Sequence, residues 1–310
     1  MLEELAIQIA SEQRGVVAAH QLAARGASRA DIRQLTRSKH WVLRDGGVYV
    51  RRGTPRDEGQ AVAALVVGVG PGARLSHLSA ANWLGQAGCA LWPAHAVVGS
   101  TTRPRRLHGT VVHRVRELPD EWTTVFNGVP VVRPELCVLQ LFAVCTYERA
   151  ERITESLWAD GAVSAPSLRA FIGQLGRRGR NGTAGVRRYL DERPDDYVPS
   201  ASNLEARVGQ ILRAAGIEVR RQIDVGSDLK WTGRVDFVVV GRPVVIEVQS
   251  WRYHSAFRDV DADARRRSEL EGAGFVWAEV WDRDAWSAPW KVVETVRSAI
   301  RRARALPTTS

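Results

Sequence analysis

The chain has 310 residues, 45% hydrophobic and 25% charged, a balance that suits two or three packed globular domains and excludes a disordered or fibrous protein. A formal net charge of +10 points to a polyanionic partner, the competing explanation being generally high arginine usage. Cys89, Cys137 and Cys145 sit in apolar surroundings without a CxxC pair, which argues for small buried hydrophobes rather than a zinc finger or a disulfide framework.

The opening MLEELAIQIASEQ reads as an acidic amphipathic helix, with Leu2, Leu5 and Ile9 on one face, rather than a signal peptide. No apolar run reaches the ~18 residues a membrane span needs, so a soluble cytoplasmic protein is expected, with no membrane partner. A short helix over 18–25 follows. Ser28 then caps a third helix, with Asp31 in the capping-box position. That helix leaves Arg29, Arg33, Arg37 and Lys39 for solvent or phosphate. WVLRDGGVYV predicts a β-hairpin around Asp45-Gly46-Gly47. Three helices and a hairpin make a winged helix-turn-helix, residues 1–56. Its third helix would enter the major groove of double-stranded DNA, and the hairpin, extended by Arg51 and Arg52, would lie along the backbone. This segment carries ten basic and five acidic residues, net +5. The alternative is an adaptor whose charges are merely solvated.

Residues 57–200 read as an α/β middle region. Helices are predicted at DEGQAVAALVVGVG and LSHLSAANWLGQ, where His77 and Trp83 look like core. Strands follow at AHAVVGS and GTVVHRV, with a hairpin at Asn127-Gly128. His108 and His113 flank a strand start without a third ligand nearby, so both are taken as structural or solvated. The stretch 176–185, rich in Gly and Arg, is either a phosphate contact or a solvated loop. RPDDYVPSAS reads as a linker ending near residue 200.

Residues 201–310 carry the chemistry. Ser202 opens a helix with Glu205 as its capping-box partner. A strand, a hairpin RVDFVVV–GR–PVVIEVQ with a two-residue turn, a helix, a strand and a final helix follow. That order predicts an α/β sandwich with a mixed sheet, and so a multidomain α+β and α/β chain. The hairpin brings Asp236 and Glu247 to one end of the sheet, and paired carboxylates suit a hard divalent cation. Alternatively, Asp236 pairs with Arg234 or caps a strand end. A lone carboxylate in VVIEV would be costly to bury.

Two resemblances are carried by these motifs. HQLAARGASRADIRQLTRSKHWVLRDGGVYV is similar to the N-terminal winged-helix domain of AbiEi-type antitoxins, and SHLSAANWLG with VPVVRPELCVLQL resembles the middle part of such proteins. That implies a transcriptional regulator with a cognate toxin as partner. Glu205, Arg234-Val235-Asp236-Phe237, the run from Glu247 to His254, and the run from Asp263 to Leu270 resemble the PD-(D/E)XK nucleases, in the branch of the very-short-patch-repair endonuclease. The resemblance implies a Mg²⁺ or Mn²⁺ endonuclease. Asp236 and Glu247 would be metal ligands, and Glu205 would complete the site. His254 would protonate the leaving oxygen, and Arg252 and Arg266 would neutralise phosphate. The chain departs from the branch pattern at Gln249, where Lys or Asp is usual, at Ser250, Tyr253 and Arg267. Gln249 keeps hydrogen bonding but loses charge, and losing such a group costs on the order of 10²–10³ in rate.

Overall fold

Short helices ended by left-handed glycines open the chain. The computed structural model describes residues 2–175, 181–193, 197, 203–227, 230–249 and 260–305. Helix α1 (Leu2–Glu12) stops before Gly15, whose φ of +79° favours glycine. β1 (Val16–Ala18) is a strand not expected from the sequence, and the helix expected over 18–25 is α2 (Ala19–Ala24). Three apolar residues carry no alternation from which a strand is readable. α3 (Arg29–Gln34) is capped as expected, with Asp31 N–H donating to Ser28 Oγ at 3.1 Å and Ser28 N–H to Asp31 Oδ2 at 3.1 Å. It is shorter than predicted, passing into a 3₁₀ turn at Leu35–Arg37, where Thr36 Oγ1 bonds back to the Arg33 carbonyl at 2.6 Å. β2 (Trp41–Arg44) and β3 (Val48–Arg51) form the hairpin. The sheet order is β1-β3-β2, and Val17, Leu22, Ile32, Leu35, Trp41 and Tyr49 make the core beneath it. Three helices and a terminal hairpin thus stand in the order expected of a winged helix-turn-helix.

Next come α4 (Glu58–Val69), β4 (Arg74–Leu75), α5 (His77–Trp83), β5 (Ala94–Gly99), β6 (Thr110–Val115), β7 (Thr123–Phe126) and β8 (Val129–Val132). They build a mixed sheet of order β6-β5-β4-β8-β7. α6 (Pro134–Val144), α7 (Tyr147–Ala159), α8 (Ala165–Gln174) and α9 (Thr183–Asp191) follow. Cys89 and Cys137 are buried and Cys145 is half-buried, all with free thiols, and burial pushes the Cys89 thiol up to about 11.

The last part holds α10 (Asn203–Ala214), β9 (Val219–Ser227), β10 (Lys230–Val239), β11 (Val244–Gln249), α11 (Val260–Gly272), β12 (Val276–Trp281), α12 (Asp282–Ser287) and α13 (Pro289–Ala305). The sheet order is β12-β11-β10-β9, with β11 and β12 parallel and the other pairs antiparallel. The β10–β11 connection is four residues, Val240 to Pro243, rather than two. Pro243 has no N–H to give the ladder, so β11 starts after it. One face of the sheet packs Phe237, Ile246, Ala278 and Val280 against α10 and α13. The other packs Val235 and Val245 against Leu270 of α11. This is the expected α/β sandwich around a mixed sheet, with α12 added.

The chain divides into two compact units: residues 1–150 with 163–192, and residues 151–162 with 193–310. In the second unit, Glu151 and Glu155 of α7 are buried with Arg193. Arg193 Nη2 lies 2.7 Å from Glu151 Oε1 and 2.8 Å from Glu155 Oε1. Arg213 and Arg221 add contacts of 3.3 and 3.2 Å, and Tyr197 OH donates to Glu155 at 2.8 Å. Among the described residues, no helix is long and apolar enough to cross a membrane.

Candidate functional site

Acids inside apolar strands set the site. Phe237 and Ile246 are cross-strand partners on the α10/α13 face while Val245 packs on the other, so the alternation along β11 turns Glu247 to that other face, where Asp236 of β10 lies beside it. There the two carboxyls hydrogen-bond one another. Asp236 Oδ2 also accepts the Val248 N–H at 2.8 Å. Glu247 is 8% exposed, and Arg266 of α11 donates from Nη2 to its Oε1 at 2.8 Å. Arg266 also donates to the Arg234 carbonyl. Its Nε is buried and has no hydrogen-bond partner among the described residues.

Glu205 belongs to the same cluster. It is buried on the first turn of α10 and accepts a hydrogen bond from Gln222 Nε2 at 2.7 Å. The Gln222 side chain also lowers the Asp236 carboxyl slightly, so it stands beside both acids. Gln222 has φ +49°, a left-handed conformation that a non-glycine residue holds only against strain. The capping role expected of Glu205 involves Ser202, which lies outside the described residues.

Burial raises both members of the pair. Glu247 is pushed up to about 8, first by burial and then by the Asp236 charge, with Arg266 opposing. Asp236 is also raised by burial, against the Val248 hydrogen bond. Two carboxylates this close in a dry setting cannot both ionise without a cation. The Asp236–Glu247 pair, with Arg266 against it and Glu205 beside it, fits a hard divalent ion, which takes oxygen ligands and relieves that repulsion.

Gln249 lies on the same strand face as Glu247, two residues on, and is 8% exposed. Arg267 points elsewhere and pairs with Glu271 at 3.0 Å. Ser250, Arg252, Tyr253 and His254 lie outside the described residues. Two neighbours escaped sequence reasoning. Gln222 has no motif around it. Glu279 is half-buried on β12 and is the parallel register partner of Glu247, a placement legible only once the crossover through α11 is known.

In the first unit, Arg29, Arg33, Arg37 and Lys39 are exposed, as are Arg51 and Arg52. The hairpin tip is not free. A Cβ on Gly46 would meet the Gly68 carbonyl oxygen at 2.9 Å, and Arg105 donates to the Gly46 carbonyl. The wing expected along a DNA backbone therefore offers its Arg51–Arg52 end, because its turn is packed against α4. Arg14 further ties this segment to the β7–β8 turn and to the cap of α4, bonding the Asn127 carbonyl at 2.6 Å and Asp57 at 3.0 Å.

No protein family and no curated protein matches the chain. Among solved structures, the Homing Endonuclease I-Bth0305I Catalytic Domain is 24% identical, with a TM-score of 0.24 over 32% of this chain and 90% of that one. A TM-score that low carries no argument about the site.

Proposed function

We propose that the chain is a metal-dependent DNA endonuclease-like protein with its own winged-helix DNA-binding segment. Residues 1–56 would hold duplex DNA, 57–200 would form an AbiEi-like middle region, and 201–310 would hydrolyse the phosphodiester as a domain of the very-short-patch-repair type. The observation that carries this reading is the buried Asp236–Glu247 pair with Glu205 at its side and one arginine against it. Asp236 and Glu247 would hold Mg²⁺ or Mn²⁺, which when bound polarises a phosphate and lowers the pKa of its water. Arg266 would give its unpartnered Nε to a phosphate oxygen. Gln222 keeps Glu205 and Asp236 in place. His254 would protonate the leaving oxygen and Arg252 would bind phosphate, as the resemblance implies. Arg29, Arg33, Arg37 and Lys39 would contact the DNA backbone, with Arg51 and Arg52 beside them.

A second reading is favoured by two observations: Gln249 is uncharged, and Arg266 already pairs with Glu247. An AbiEi-like regulator whose nuclease fold has lost turnover, with a toxin protein as partner, would look the same. Supercoiled and mismatched duplexes incubated with Mg²⁺ or Mn²⁺ separate the two. Cleavage by the wild type, lost in Asp236→Ala and in Glu247→Ala, supports the enzyme. Tight duplex binding without cleavage in either metal supports the regulator.

A further inference from the structure

His95 and His113 come from β5 and β6 of the mixed sheet of the first unit, and His77 from the start of α5. β5 and β6 are parallel with Val97 opposite His113, so His95 and His113 share a face, one pleat apart. Ser76 N–H donates to the His95 carbonyl at 2.8 Å, which brings the start of α5 to the same place. One ring nitrogen of each histidine lies within 4.8 Å of the others. His95 Nδ1 is 3.1 Å from His113 Nε2. The His77 and His113 rings stack with centroids 3.8 Å apart.

We propose that His77, His95 and His113 form a binding site for a borderline divalent transition-metal ion, with Zn²⁺ as its type. Tetrahedral zinc with Zn–N bonds of about 2.0–2.1 Å spaces its nitrogens roughly 3.3 Å apart. The His95–His113 distance already meets that spacing, so only His77 has to close in. Imidazole selects zinc, copper, nickel or cobalt over the hard ions that suit carboxylates.

The surroundings support ligation. His77 Nδ1 lies 2.9 Å from Ser76 Oγ. With Nδ1 as the donor, the tautomer would leave Nε2 with its lone pair for a metal. The His77 backbone holds φ +54°, kept there by its N–H bond to Gln140 Oε1 at 3.0 Å and by Cys137 Sγ donating to its carbonyl at 3.5 Å. A strained non-glycine residue at the centre of a ligand-type cluster is where function is to be sought. His77 is buried, while His95 and His113 are half-buried, which leaves a solvent side for the ion and for a fourth ligand. A stacked, hydrogen-bonded trio with only a packing role is the competing account.

The site is independent of the carboxylate cluster, and its test keeps the two apart. The full chain bearing Glu247→Gln, to silence the carboxylates, is titrated with Zn²⁺ by calorimetry and with Co²⁺ by visible absorption. One equivalent per chain is expected, with an intense tetrahedral-type cobalt spectrum. In His113→Gln the affinity should fall by at least about tenfold, and the cobalt spectrum should collapse. His108→Ala, at an exposed histidine outside the trio, should bind like the parent. Far-ultraviolet circular dichroism of each variant establishes that it is folded. His95→Gln repeats the test if His113→Gln is not. No saturable binding by the parent, or binding that a folded His113→Gln or His95→Gln leaves unchanged, overturns the site.

Discussion

The second unit buries two groups of carboxylates, and they are neutralised differently. Glu151 and Glu155 face three guanidiniums, those of Arg193, Arg213 and Arg221, plus the hydroxyl of Tyr197. At the other group, Arg266 is paired with Glu247 and acts on Asp236 beside it. The first group has all the cation it needs and behaves as a strut between α7 and its own unit. There burial and the Asp236 charge raise the Glu247 carboxyl in spite of Arg266. Burial alone does not distinguish a structural carboxylate from a site. Uncompensated burial does, because the missing positive charge is what a ligand supplies.

The largest effect should come from the saturated group. Arg193→Met leaves Glu151 and Glu155 buried with their main partner gone, and the urea midpoint should fall by the equivalent of about 3–5 kcal/mol. A loss under about 1 kcal/mol would show that this group is no strut, and the contrast with the other would fail.

The pair at Asp236 and Glu247 should show the opposite response. The folded-state value for Glu247, about 8, lies above its ordinary value of 4.5, so the folded protein holds a proton that the unfolded chain has released. The stability this contributes is complete below about 4.5 and is lost as pH rises toward 8. Glu247→Gln stays neutral and should remove that slope. Relative to wild type it should gain on the order of 1–3 kcal/mol between pH 5 and pH 9 in metal-free buffer. Denaturation curves at the two pH values measure it, and parallel pH profiles would mean the pair is not strained.

The sequence made the pair legible because two acids interrupt apolar strands at hairpin spacing. Gln222 was hidden, since a left-handed φ and a hydrogen bond across α10 and β9 leave no local pattern. The histidines show the same limit: His77, His95 and His113 belong to three elements, and only the sheet register assembles them. The reading of His113 as structural or solvated looks for partners nearby in sequence, whereas its ring neighbours His77 and His95 come from other elements. The Ser28 helix cap and the DGG hairpin were readable, being set within four residues. The length of α3 and the four-residue β10–β11 connection were not, since a Thr back-bond and a proline override the hydrophobic pattern.

The smallest effect concerns the basic face of the first unit. Arg33→Ala and Arg37→Ala should each weaken duplex binding a fewfold and lower the slope of log affinity against log salt by about 1. Fluorescence anisotropy over a salt series reads both. Unchanged slopes would move the DNA contact away from α3.

The most direct measurement is a calorimetric titration of Mn²⁺ into the full chain at pH 8, beside Asp236→Asn and Glu247→Gln, with His113→Gln as the control that spares the carboxylates. The account predicts one saturable site in the wild type and in His113→Gln, lost in both carboxylate variants. A titration in which Asp236→Asn and Glu247→Gln bind Mn²⁺ as the wild type does, or in which the wild type binds none, would contradict it.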